Sequence, residues 1–159
     1  MKINIMLPLM VIVAGGCGFY YYTTCKTEIT HKQLHVAKDT SMKSTESGIL
    51  YEILTESPEG AVKPQPGQTV TVHYTGWINE NGQPGQKFDS SVDRGDKFQF
   101  MVGIGQVIRG WDESVLDMKV GEKRRVIIPS ELAYGSRGAG TVIAPHSDLM
   151  FDIELFEAQ

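Results

Sequence analysis

The stretch TVTVHYTGW, Thr69 to Trp77, alternates apolar and polar side chains, a period that a strand with one buried face satisfies and a helix does not. The pattern returns in several runs after Gly48. ILYEILTE reads as a half-buried edge, KFQFMV repeats aromatic and polar residues, RRVIIP is short and apolar, and DLMFDIELFEA alternates almost to the last residue. One interval breaks the series. Trp111, Val115 and Met118 stand at i, i+4 and i+7, the spacing of a single helical face, and Gly121 follows where a helix-stop glycine is expected. NENGQPGQ, Asn79 to Gln86, reads as a loop because Gly, Pro and Asn crowd it. Several strands with one amphipathic helix predict an α+β domain, an antiparallel sheet curled around a single short helix.

Upstream of Gly48 the chain has a different character. Met1-Lys2 precedes the apolar run IMLPLMVIVAGG, then Cys17, then GFYYYTT, before polarity rises at Cys25-Lys26. Residues 1–25 therefore read as a targeting or anchoring segment outside the fold. Three readings stand. In the first, Ala14-Gly15-Gly16-Cys17 resembles a bacterial lipobox whose cysteine carries lipid, with Ala14 where Leu is more usual. In the second, Ile3 to Tyr22 stays uncut, long enough to span a bilayer, with Tyr20, Tyr21 and Tyr22 at the interface. The third is an ordinary cleaved secretory signal. The first two place the domain at a membrane, outside the cytoplasm. Residues 26–47 are polar and read as a linker, with one helical turn near HKQLHVAK, and residues 48–159 are the folded domain.

Charge and motif content narrow the function. A net charge of −4 gives no basic face for nucleic acid, and the short run Lys123-Arg124-Arg125 reads as a solvated sheet edge. The two cysteines build no disulfide framework, and His31 and His35 lack further ligands at metal spacing. No G-x-S-x-G elbow, P-loop, dinucleotide fingerprint or H-E-x-x-H is present, so neither a cofactor nor a metal is expected. What accumulates instead is aromatic residues beside small polar ones: Tyr74, Phe88-Asp89, Phe98, Phe100, Trp111, Tyr134 and Phe151. Each alone reads as core. Trp111 is an expensive core residue, because its N–H wants a partner when buried.

VHYTGW, GQKFDSSVDRG, FQFMVGIGQVIRGWDESV, MKVGEKRRVIIP, LAYGSRG and LMFDIELFEA, in that order, closely resemble the FKBP-type peptidyl-prolyl cis-trans isomerases. The resemblance covers about Gly48 to Glu157. It implies a sheet wrapped on one helix with a pocket between them, and an activity that accelerates X-Pro isomerisation in folding polypeptides. It also implies rapamycin-type macrolides as inhibitors, and a monomer is expected because Lys26 to Ser47 falls short of the helical dimerisation arm of some exported relatives. A tethered prolyl-peptide binding module or chaperone with little turnover is the alternative. By the same resemblance Tyr74, Asp89, Trp111 and Tyr134 are the catalytic set, with Trp111 as the pocket floor. Phe88, Arg94, Phe98, Val107, Ile108, Ile143 and Phe151 would bind substrate, the Ile108 N–H and the Tyr134 hydroxyl donating to its carbonyls, with Tyr74 and Arg94 holding Asp89 in place. The chain departs from the family pattern at Gln106, Ala139 and Ala144, which bear on substrate preference.

Overall fold

The computed structural model describes residues 42–159, and the elements follow the alternation closely. Strands β1 (Lys43–Ser44), β2 (Leu50–Thr55), β3 (Thr69–Glu80), β4 (Gln83–Ser90), β5 (Phe98–Met101), β6 (Lys123–Ile128) and β7 (Leu149–Ala158) form one antiparallel sheet. Its order is β1-β2-β6-β7-β3-β4, and β5 pairs with the first half of β3 on the side where β4 takes the second half. β3 and β7 pair from Val70↔Ala158 to Ile78↔Leu149 and make the spine. Two helices complete the frame, a single turn α1 (Ser91–Arg94) and α2 (Arg109–Asp117).

One face of the sheet is apolar because alternate residues point there. Val70, Val72 and Tyr74 of β3, Val126 and Ile128 of β6, and Leu149, Phe151, Ile153 and Leu155 of β7 share the core with Trp111 and Val115 of α2. The helix sits close to the sheet at Gly110, where a Cβ would lie 2.3 Å from Ile128 Cγ2. A side chain there would push the helix off β6.

Four local expectations change. The loop over Asn79–Gln86 shrinks to two residues, since β3 continues to Glu80, β4 starts at Gln83, and Glu80 pairs with Gln83. Asn81 and Gly82 have φ of 55° and 83°, the conformation of a tight hairpin turn that matches strand twist. Pro84 is tolerated because β4 is an edge strand. Gly121 does not stop the helix. α2 ends at Asp117 with Met118 as its cap, and Gly121, at φ 86°, turns the chain into β6 and donates its N–H to Leu155 O at 2.7 Å. A Cβ there would meet Pro58 Cδ at 2.6 Å.

The basic run is the third. β6 lies inside the sheet between β2 and β7, not at its edge, and Arg124 is 4% exposed. Its guanidinium donates to Glu122 at 2.6 Å and Asp117 at 2.9 Å, and lies 4.4 Å from the Tyr51 ring centre. Arg125, on the opposite face, forms a two-bond pair with Asp152. β1 also lies within the stretch read as linker, pairing Lys43 with Tyr51 and Ser44 with Leu50. The apolar run, Cys17, Cys25, His31 and His35 lie outside the described residues.

Candidate active site

The open end of the core, between α2 and the β3–β4 side of the sheet, is a cavity of about 430 Å³ lined by ten residues. Tyr74, Phe88, Asp89, Phe98, Val107, Ile108, Trp111, Tyr134 and Phe151 are among them, and Gln106 is the tenth. Two other expected residues do not line the cavity. Arg94 stands beside Asp89 without lining the cavity. Ile143 is buried against the core, paired through backbone with Ala139 at 2.9 and 3.1 Å.

Trp111 holds the centre of the aromatic set. Its ring lies edge-on to Tyr74 at 4.9 Å and to Phe151 at 5.3 Å, with Phe100 and Phe98 at 5.7 and 6.1 Å. These contacts leave it 4% exposed, and no acceptor among the described residues reaches its indole N–H. Leaving such a donor unpaired costs about 1–3 kcal/mol. The ring also lines the cavity, so its apolar surface is offered there as well as to the core.

Phe88 and Phe151 meet edge to face at 5.6 Å, and Gly76 of β3 lies beneath both. A Cβ at Gly76 would come within 2.7 Å of each ring, so this wall exists because the strand carries no side chain there. Periodicity alone does not reveal that role, although the TG pair inside VHYTGW is where it sits.

The polar corner is built by α1. Ser90 caps that turn by accepting from Asp93 N at 3.2 Å, and Gly95 closes it in the left-handed region. Ser91, buried beneath, takes the Tyr74 N–H at 2.7 Å and fixes β3 to the turn. Arg94 is thereby carried over Asp89. The Tyr74 hydroxyl donates to Asp89 Oδ2, Arg94 Nη1 donates to Asp89 Oδ1, and Arg94 Nη2 donates to the Tyr74 oxygen at 3.2 Å. The Ser90 N–H adds a bond to Asp89 Oδ1 at 2.8 Å. Burial works to raise the Asp89 pKa, but the bonds from Tyr74 and Arg94 outweigh it and hold the carboxyl below its ordinary range. Tyr74 moves upward, through burial first and then its bond to the carboxylate.

Asp89 is therefore an ionised acceptor whose oxygens are already engaged, which suits holding Tyr74 in place better than abstracting a proton. Ile108, which also lines the cavity, precedes α2 with no side-chain cap, and its N–H meets no acceptor among the described residues. Tyr134 is 41% exposed at the rim. Among the described residues no group of His, Cys, Asp and Glu is arranged to hold a metal. The arrangement can take a compact apolar ring onto the indole and offer donors to carbonyls on either side.

The sequence and the fold also match known proteins. Residues 60–156 match the family model described as FKBP-type peptidyl-prolyl cis-trans isomerase. The chain is similar to FK506-binding protein 1 of Saccharomyces cerevisiae, 54% identical over 99 residues that are 62% of this chain and 83% of that protein. It is also similar to peptidyl-prolyl cis-trans isomerase FPR2 of the same yeast, 47% identical over 119 residues, 75% of this chain and 84% of that one. The crystal structure of FkpA from Escherichia coli superposes with a TM-score of 0.66 at 33% identity, covering 77% of this chain and 54% of that chain.

Proposed function

The chain belongs to the FKBP-type peptidyl-prolyl cis-trans isomerases, and we infer from that premise how its pocket accelerates rotation about X-Pro bonds. The observation that carries the reading is the indole of Trp111 flooring a cavity walled by Tyr74, Phe88, Phe98 and Phe151. An amide resists rotation by about 18–20 kcal/mol because resonance flattens it, and free X-Pro bonds isomerise over tens to hundreds of seconds. The twisted imide is less charge-separated than the planar one. A dry apolar site therefore favours it without nucleophile, metal or cofactor.

In this reading the proline ring rests on Trp111. The Ile108 N–H and the Tyr134 hydroxyl hold flanking carbonyls, and the Tyr74–Asp89–Arg94 cluster fixes one wall. A hundredfold acceleration requires about 2.7 kcal/mol of differential stabilisation, within reach of desolvation and two hydrogen bonds. The test is the protease-coupled assay on a peptide with an apolar residue before proline. Turnover that falls with Trp111→Ala supports the reading. Binding of the peptide without turnover would instead establish a prolyl-peptide binding module.

The name of FK506-binding protein 1 supports extending the reading to macrolide ligands: rapamycin-type macrolides, whose pipecolyl ring mimics proline, would occupy the same cavity and inhibit. Tryptophan emission changes on titration, with Trp77 as background. We further propose that the domain works as a monomer outside the cytoplasm, attached to a membrane through residues 1–25. The support is the apolar run before Cys17 and the polar stretch after Cys25. No helix among the described residues is long and apolar enough to cross a membrane, so attachment rests on that run. Lipid on Cys17 would anchor stably, since two or more acyl chains do what one does not. Cys17→Ser then leaves a longer precursor without acyl label. An unchanged, membrane-bound product identifies an uncut anchor, and soluble cytoplasmic recovery with an intact N-terminus overturns both.

A further inference from the structure

The rim of the cavity is held by a side chain that does not line it. Between β5 and α2 the chain runs through Val102, Gly103, Ile104 and Gly105 before reaching Gln106, Val107 and Ile108 at the rim. The N–H of Gly103 donates to Asp112 Oδ1 and that of Gly105 to Asp112 Oδ2, each at 2.8 Å. Both glycines have positive φ, 78° and 77°, which turns their N–H groups toward one carboxylate. Gln106 adds a third tie by accepting the Met101 N–H at 2.8 Å.

Packing holds the tip of this loop weakly. Ile104 is 51% exposed, and the glycines beside it contribute no side chains. The bonds to Asp112 are charge-assisted and therefore stronger than neutral ones. Asp112 also lies in the first turn of α2, where the helix dipole favours an anion, and it directly follows Trp111. One residue thus ties the rim loop to the helical turn that carries the floor.

We propose that Asp112 is a positioning residue for prolyl ligands: its grip on Gly103 and Gly105 sets the distance between the Val107–Ile108 rim and the Trp111 floor. This rests on the isomerase reading of the pocket. Without the carboxylate the loop N–H groups turn to water, and a ligand must order the loop on binding, which weakens affinity. Chemistry inside the cavity is left intact. The signature is therefore a rise in KM with little change in kcat.

The test uses the full chain with Asp112→Ala, Asp112→Asn and, as a neighbouring charge control, Glu113→Ala. For Asp112→Ala we expect KM for an X-Pro peptide and Kd for rapamycin each to rise about tenfold, equivalent to about 1.4 kcal/mol, with kcat nearly retained. Amide exchange at Gly103 and Gly105 speeds up while that at Val72 and Ile153 does not. Asp112→Asn, which keeps one acceptor, falls between Asp112→Ala and wild type, and Glu113→Ala matches wild type. Unchanged KM and Kd in folded Asp112→Ala overturn the proposal, as does an equal effect from Glu113→Ala or a loss carried by kcat with exchange raised throughout. If Asp112→Ala does not fold, wild-type constants in Asp112→Asn overturn it alone. A wild type without isomerase activity defeats the reading of the pocket instead, and macrolide affinity and amide exchange still decide the role of Asp112.

Discussion

Tyr74 and Asp89 divide the work of the polar corner through opposite pKa displacements. Asp89 is lowered, so the stability it contributes is present above the unfolded carboxylate pKa and is lost as pH falls through the folded value. Tyr74 is raised, so its contribution holds below the unfolded tyrosine pKa and is lost as pH climbs through the folded one. The cluster therefore stays intact across the neutral range, and protonation of Asp89 puts no limb into the pH–rate profile of wild type above the ordinary carboxylate range. A limb near pH 5–6 that disappears in Asp89→Asn would contradict this. Gly76 supports a sharper expectation. Gly76→Ala places a methyl within 2.7 Å of Phe88 and Phe151, so macrolide Kd rises several-fold while β3 still pairs with β7, a combination that titration and amide exchange read together. Trp111 was legible in the sequence because its neighbours form a recognisable block. Gly76 and Asp112 were not, because their roles depend on which rings and loop atoms come within reach.

Elements show the same division. The strands announce themselves by alternation, but β4 is hidden by its composition, because Gln83-Pro84-Gly85-Gln86 looks like loop until the Asn81-Gly82 turn folds it back onto β3. The length of α2 was misjudged for a related reason. Met118 keeps the helical spacing and is fully buried, yet its extended backbone, with φ −70° and ψ 156°, has already left the helix. In β6 a run of three basic residues resolves into one buried and one surface partnership. Arg124→Ala strands Glu122, whose side chain is 5% exposed, and lowers the unfolding free energy by about 3–5 kcal/mol. Arg124→Met with Glu122→Gln restores most of it. Urea melts on the two variants check the pair, and a single variant as stable as wild type would mean that the buried charges are already compensated elsewhere.

On the scale of the molecule, every residue of the cavity lies downstream of β2. A chain of residues 42–159, which keeps β1, is therefore expected to fold and isomerise with kcat/KM within about twofold of the full chain. A coupled assay and a thermal melt decide it, and a truncated chain that folds but loses turnover would assign residues 1–41 a part in catalysis. The sequence by itself determined the all-antiparallel character with the packed helix α2, the family, and the aromatic set, though not the single turn α1, because side-chain period and ordered local blocks are properties of neighbours along the chain. Only the tertiary structure decided that Arg94 stands outside the cavity, that Ile143 is packed into the core, that β6 lies inside the sheet, and that Arg124 is buried. Those facts depend on how β2 and β7 flank β6 and on how closely α2 approaches the sheet at Ile128, placements that no one segment contains.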